Sequence, residues 1–164
     1  MKIFHAVHEF PCPREKLFTL FDEPDYQTFL IANIPELAAF EVLEDRWEGG
    51  RRFRRMRFRV VAPMPDFVRR VAPRAGQGWI EESGVLDPQA ATYESHAQGT
   101  VSEIRRLVRY EGGPESTRRV SESRISARVP LVGGALERFM ASQMEKNRDQ
   151  EYQITLRYLR GERA

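Results

Sequence analysis

Residues 132–159 read VGGALERFMASQMEKNRDQEYQITLRYL, and their spacing predicts one long helix at the end of the chain. Roughly 25 residues of such a helix would span about 40 Å at 1.5 Å per residue. Leu136, Phe139, Met140 and Met144 form an apolar stripe, which Ile154 and Tyr158 resume further on. Between the two halves the stripe carries Gln143, Asn147 and Glu151. A helix packed dry against a sheet should lack that polar gap. One that faces a cavity, or overhangs the sheet edge, can carry it. Arg148 and Tyr152 lie beside Glu151 in sequence, which favours a solvated charge there.

The segments before the helix read mostly as strands. Residues 2–10 alternate, with Phe4, Ala6, His8 and Phe10 on one face and Ile3, His5, Val7 and Glu9 on the other. Two short helices are expected next. PCPREKLFTLFDEP (11–24) carries Leu17, Phe18, Leu20 and Phe21, with Pro13 in its first turn. The second runs through Tyr26, Phe29 and Leu30, with Asp22 as its cap. About six strands follow. The first two flank Gly49-Gly50, a two-residue hairpin signal. The segment APMPDFVRRVAPRAG (62–76) interrupts them with prolines and a short amphipathic piece, Phe67, Val68 and Val71.

RRFRRMRFRVV (51–61) places six arginines in nine positions. Pairing across Gly49-Gly50 sets Glu48 opposite Arg51, Asp45 opposite Arg54, Glu44 opposite Arg55, and Val42 opposite Arg57. Each ion pair is worth roughly 0.2–1 kcal/mol. Met56, Phe58 and Val60 take the inner face beside Leu43. Glu41 then meets Phe58, a mismatch that a bulge or a strand end there would relieve. In this register Asp45 and Arg54 share the inner face, either at the rim of the sheet or as polar anchors in a cavity.

The chain has 164 residues, enough for one domain over its whole length with a full core. Its 26 basic and 24 acidic residues leave a net charge of only +2, which argues against bulk attraction to nucleic acid. Cys12 is the single cysteine, so no internal disulfide forms. With no secretory leader pattern and no apolar run of membrane-spanning length, a cytoplasmic location is expected. His5 and His8 fall on opposite faces of a strand, and His96 is remote, so neither a metal site nor a cofactor is expected. The residues set no oligomeric state.

FPCPREKLFTLFDEPDYQTFLI (10–31) resembles the opening of START-like proteins, the SRPBCC superfamily of polyketide cyclases, pollen allergens and lipid-transfer domains. PDFVRRVAPRAGQGWIEE (65–82) and SARVPLVGGALERFMASQMEKNRDQEYQITLRYL (126–159) are similar to an uncharacterised bacterial branch of it. The resemblance covers essentially the whole chain. It implies an α+β helix-grip fold: a curved antiparallel sheet of about seven strands around the C-terminal helix, with two short helices after the first strand. It also implies an internal apolar cavity that holds a lipid, sterol, polyketide or similar molecule. It implies no reaction.

The first expectation is therefore a binder or carrier of a hydrophobic small molecule, without catalysis. Met56, Phe58, Ile125, Met140 and Met144 would form walls. Asp45, Arg54, Ser121, Ser123 and Asn147 would be polar anchors; the two serines would alternately serve to let the helix approach the sheet. The proline-rich segment would act as a lid or a plain connector. In the first case an exposed Phe67 touches a membrane surface transiently, with Arg69 and Arg70 near phosphates. A second reading is a cyclase or hydratase using Asp45 or Glu151 as acid or base. A third is a polyanion-binding module built on the arginine strand, with Phe53 and Phe58 stacking.

Overall fold

The computed structural model describes residues 1–61, 64–71, 77–87, 90–97 and 102–163; for residues 71, 77, 78 and 90–97 it describes the backbone alone. The chain opens with β1 (Lys2–Phe10), then α1 (Arg14–Thr19), a 3-10 turn (Leu20–Asp22) and α2 (Pro24–Asn33). The hairpin of β2 (Leu37–Glu48) and β3 (Arg51–Val61) follows, then α3 (Asp66–Val71). Four more strands, β4 (Gln77–Leu86), β5 (Ala90–Ala97), β6 (Ser102–Gly112) and β7 (Thr117–Ala127), lead to α4 (Gly133–Leu159). All seven strands join one antiparallel sheet in the order β1-β7-β6-β5-β4-β3-β2. This agrees with the expected α+β class, a long last helix on an antiparallel sheet.

Positive φ at Gly49 (57°) and Gly50 (76°) lets the β2–β3 hairpin close in two residues. Arg51, Arg54 and Arg55 face Glu48, Asp45 and Glu44, as the sequence predicts. A bulge at Leu43 then shifts the register: Arg57 meets Glu41 rather than Val42, and Phe58 meets Phe40. The shift puts Glu41 within 2.5 Å of Arg57 and leaves Leu43 37% exposed, off the inner face. Asp22 does not cap α2. Glu23 stands at that position without a side-chain cap bond, and Pro24 opens the helix. The Asp22 carboxylate is drawn instead to Arg52 and Arg54 on β3.

The main core lies at one end. Phe10, Leu17, Leu20, Tyr26, Phe29 and Leu30 pack on Ile154 and Tyr158 in the last turns of α4. Tyr26 is fully buried, with edge contacts to Phe21 and Tyr158 and a 2.8 Å hydrogen bond to Thr155. Burial pushes its phenol well above the usual range, so it stays neutral. A smaller cluster joins Met56, Leu86 and Val108. At the other end α4 starts hard against the sheet: a Cβ on Gly133 would lie 2.7 Å from the Ala127 carbonyl oxygen.

That contact separates the two glycines of the VGG turn. Gly133→Ala should lose roughly 1–3 kcal/mol, because the neighbour is backbone and cannot yield. Gly134→Ala, whose Cβ would meet only the tip of the Arg138 side chain at 3.8 Å, should gain up to about 1 kcal/mol of helix propensity. Urea denaturation of the pair reads both signs.

Candidate ligand cavity

Alternation along the strands turns one set of side chains toward α4. From β3 these are Arg54, Met56, Phe58 and Val60; from β4, Ile80 and Glu82; from β6, Ile104, Arg106, Val108 and Tyr110; from β7, Arg119 and Ser121. Helix α4 opposes them with Met144, Asn147, Arg148 and Glu151, spaced to share one face. Phe21, Leu30, Ile34, Glu36 and Leu37 from the α2 end complete the lining. Together they enclose a cavity of about 270 Å³.

The apolar wall is crossed by buried charge. Arg119 is 7% exposed and donates from both terminal nitrogens to Glu151, at 2.9 and 3.1 Å. Its guanidinium also lies over the Phe10 ring, 4.9 Å from the centroid. Arg148 donates to the second Glu151 oxygen at 3.1 Å. Burial pushes the Glu151 carboxyl up, but Arg119 and Arg148 outweigh it and hold the group down at about 2. Burial and the neighbouring Arg106 draw Arg148 down to about 10, so it remains a cation at neutral pH. Arg106 donates to both Glu82 oxygens, at 3.1 and 3.2 Å. Arg54 and Arg52 share Asp22 and Asp45, and the Arg52 hydrogen bond holds the Asp45 carboxyl below its usual range.

Residues 5–159 match the family described as "Protein of unknown function (DUF2505)". The chain belongs to that family. No curated protein matches it. Among solved structures, a protein from Thermus thermophilus is 19% identical, with 93% of each chain covered and a TM-score of 0.63. A START superfamily protein from Mycobacterium smegmatis is 12% identical over 93% of this chain and 97% of that one, with a TM-score of 0.58. Norcoclaurine synthase from Thalictrum flavum, solved with dopamine and hydroxybenzaldehyde, is 13% identical over 94% and 86%, with a TM-score of 0.59. At these identities the likeness is one of fold, and the fold is START-like.

Of the residues that the sequence singles out, Arg54, Met56, Phe58, Ser121, Met144 and Asn147 line the cavity together. Asp45, Ser123, Ile125 and Met140 are not among its lining. Asp45 is taken up by Arg52 and Arg54. Ser123 (2% exposed) and Ile125 (0%) lie toward the end of β7, near where Gly133 brings α4 close to the sheet. Met140 precedes the cavity by one turn of α4. Glu151 is buried rather than solvated. Sequence reasoning did not pick out Glu82, Arg106, Arg119 and Arg148. The first three sit in the inward phase of their strands, beside Ile80, Val108 and Ser121, and that misplaced polarity is the signal that could have found them.

The outer face of the hairpin is an ion-paired surface. Arg57 pairs with Glu41, Arg55 lies 4.0 Å from Glu44, and Arg46 bridges Glu44 and Glu48. Glu48 thus spends its charge on its own strand rather than on Arg51. Phe67 is half-buried rather than exposed, its ring edge-on to Phe139 with centroids 6.2 Å apart. None of the described α3 side chains is among those lining the cavity. Among the described residues, no helix is long and apolar enough to cross a membrane. His8 is buried, with Nε2 3.1 Å from Asp149 Oδ1, while His5 on the opposite face is exposed; the His96 side chain lies outside the described residues.

The Glu151 cluster makes a pH prediction. A carboxyl held at about 2 in the fold, against an ordinary value of 4.5, supports stability above pH 4.5; that support is lost as pH falls toward 2. Glu151→Gln should destabilise by roughly 3–5 kcal/mol at pH 7, because it leaves the buried Arg119 without a counter-charge. It should also flatten the acid limb of stability. Thermal denaturation of both proteins between pH 7 and 2 measures the two effects.

Proposed function

We propose that the chain is a soluble, cytoplasmic, non-catalytic binder or carrier of a hydrophobic small molecule held between the sheet and α4. The carrying observation is the hollow of about 270 Å³, walled by Leu30, Ile34, Met56, Phe58, Ile104 and Met144. It is nearly twice the roughly 150 Å³ that accepts a benzene ring, which gives room for roughly a dozen non-hydrogen atoms. Burying such a molecule gains about 25 cal/mol per Å² before binding costs. The lining residues that the sequence proposed as contacts, Arg54, Met56, Phe58, Ser121, Met144 and Asn147, are the ones assigned to the ligand here. Small aromatic molecules accompany norcoclaurine synthase, a protein of the same fold, which supports a guest of this size.

The cyclase or hydratase reading loses its motive. A general acid needs a carboxyl raised toward neutrality. Asp45 and Glu151 are both held down by arginines, and each spends its oxygens on them. The polyanion reading is weakened by the carboxylates that face the outer arginines, since paired charges release few counterions.

Titration calorimetry with 1-octanol should give a dissociation constant of roughly 0.1–1 mM. Val108→Phe, which adds a ring to the cavity wall, should abolish it. Native mass spectrometry of protein purified without detergent should show a small non-covalent adduct that the variant lacks. An adduct-free wild type that also ignores 1-octanol would refute the reading.

A further inference from the structure

We propose that the cavity selects an amphiphile with a single negative charge, a carboxylate on an apolar body, whose head group seats on Arg148. This rests on the reading of the cavity as a hydrophobic-ligand site and names the class of molecule it takes.

Among the described residues four arginines line the hollow, Arg54, Arg106, Arg119 and Arg148, against three glutamates, Glu36, Glu82 and Glu151. Arg106 is met by both oxygens of Glu82. Arg119 is met by both oxygens of Glu151. Arg54, with Arg52, is met by Asp22 and Asp45. Glu36 answers to Lys146, whose Nζ is 3.6 Å from Oε1. Among the described residues Arg148 alone has no carboxylate of its own: its Nη1 donates to an oxygen of Glu151 that already serves Arg119. Its side chain is 29% exposed, and among the described residues its Nε and Nη2 donate to no protein acceptor.

Among the described residues one positive charge is in excess at the wall of this half-open hollow, and one negative charge would balance it. A guanidinium edge with two free N–H groups matches the two oxygens of a carboxylate in a bidentate pair. A phosphate ester would bring close to two charges at neutral pH, one more than the described side chains of the wall balance. The surroundings extend the match. Asn147, next to Arg148, lines the cavity with an amide that makes no hydrogen bond among the described residues. Arg54 is 4% exposed and keeps a buried Nε without an acceptor there. Met144, one turn before Arg148 on the same helix face, offers an apolar contact for the first carbons of a chain.

The test compares octanoate with 1-octanol at pH 7 by titration calorimetry, on wild type, Arg148→Gln and Arg148→Lys. Wild type should prefer octanoate by about tenfold or more, the scale of a charge-assisted hydrogen bond in a buried site. The ratio should collapse toward one in Arg148→Gln and be partly kept in Arg148→Lys, which retains the charge and loses the fork. The wild-type ratio needs no variant, so it decides even if a substitution unfolds the protein. A wild-type ratio near one overturns the charge selection while the hydrophobic-ligand reading stands. An undiminished ratio in a folded Arg148→Gln removes Arg148 as the seat. Binding of neither probe overturns both readings.

Discussion

The pair between Arg119 on β7 and Glu151 on α4 is the constraint on which the geometry of the site depends. Both partners are out of water, and such a pair is stable only if neither can leave the other. Because Glu151 uses both oxygens on Arg119, the helix is pinned in rotation as well as in position. A turn of one residue, about 100°, would carry the carboxylate away from the sheet. That phase turns Met144, Asn147 and Arg148 toward the hollow, and it seats Ile154 and Tyr158 on the aromatic cluster one and two turns later. The polar gap in the helix stripe is therefore where the helix is fastened.

The same rule of satisfied burial governs the arginine-rich hairpin. Strand alternation divides its arginines. Arg52 and Arg54 face inward and converge on Asp22 and Asp45, tying the sheet to the turn before α2. Arg55 and Arg57 face outward toward Glu44 and Glu41. The inner group matters more, since a buried guanidinium without a carboxylate costs several kcal/mol while an exposed pair is worth under about 1 kcal/mol. Asp22 illustrates the difference in strength: a helix cap is worth about 1 kcal/mol, and two buried guanidiniums outbid it.

The frame was legible in the sequence because it rests on local periodicity. The helix over 132–159, the alternating strands and the Gly49-Gly50 turn each announce themselves within a few residues. The hairpin register was legible as far as Glu44, and the clash of Glu41 with Phe58 marked an irregularity beyond it, a bulge or a strand end. Its place at Leu43 was not, because a bulge is set by which cross-strand pairs it improves. The cavity lining was half legible. Met56 and Phe58 follow from strand phase, and Met144 and Asn147 from helix phase. Ser123 and Ile125 have the right phase as well, but depth along the groove is a tertiary quantity, fixed by the Gly133–Ala127 contact. The ion pairs were the least legible. Arg119 and Glu151 are 32 residues apart, and nothing local says that they meet.

Two ends of the molecule do different work. A half-open space of about 270 Å³ with apolar sides leaves those side chains without the packing contacts a filled core would give them. Water can enter by the open side and meet the polar groups of the wall, but the apolar sides gain nothing from it. The void stays open because the opposite end is densely packed around Tyr26, Phe29 and Tyr158, while α4 is held at its start by Gly133 and in its middle by Glu151. Between those supports the helix cannot sink onto the sheet. An apolar guest in that space would supply contacts the fold itself lacks and would stabilise the chain by an amount that grows with its concentration relative to its dissociation constant.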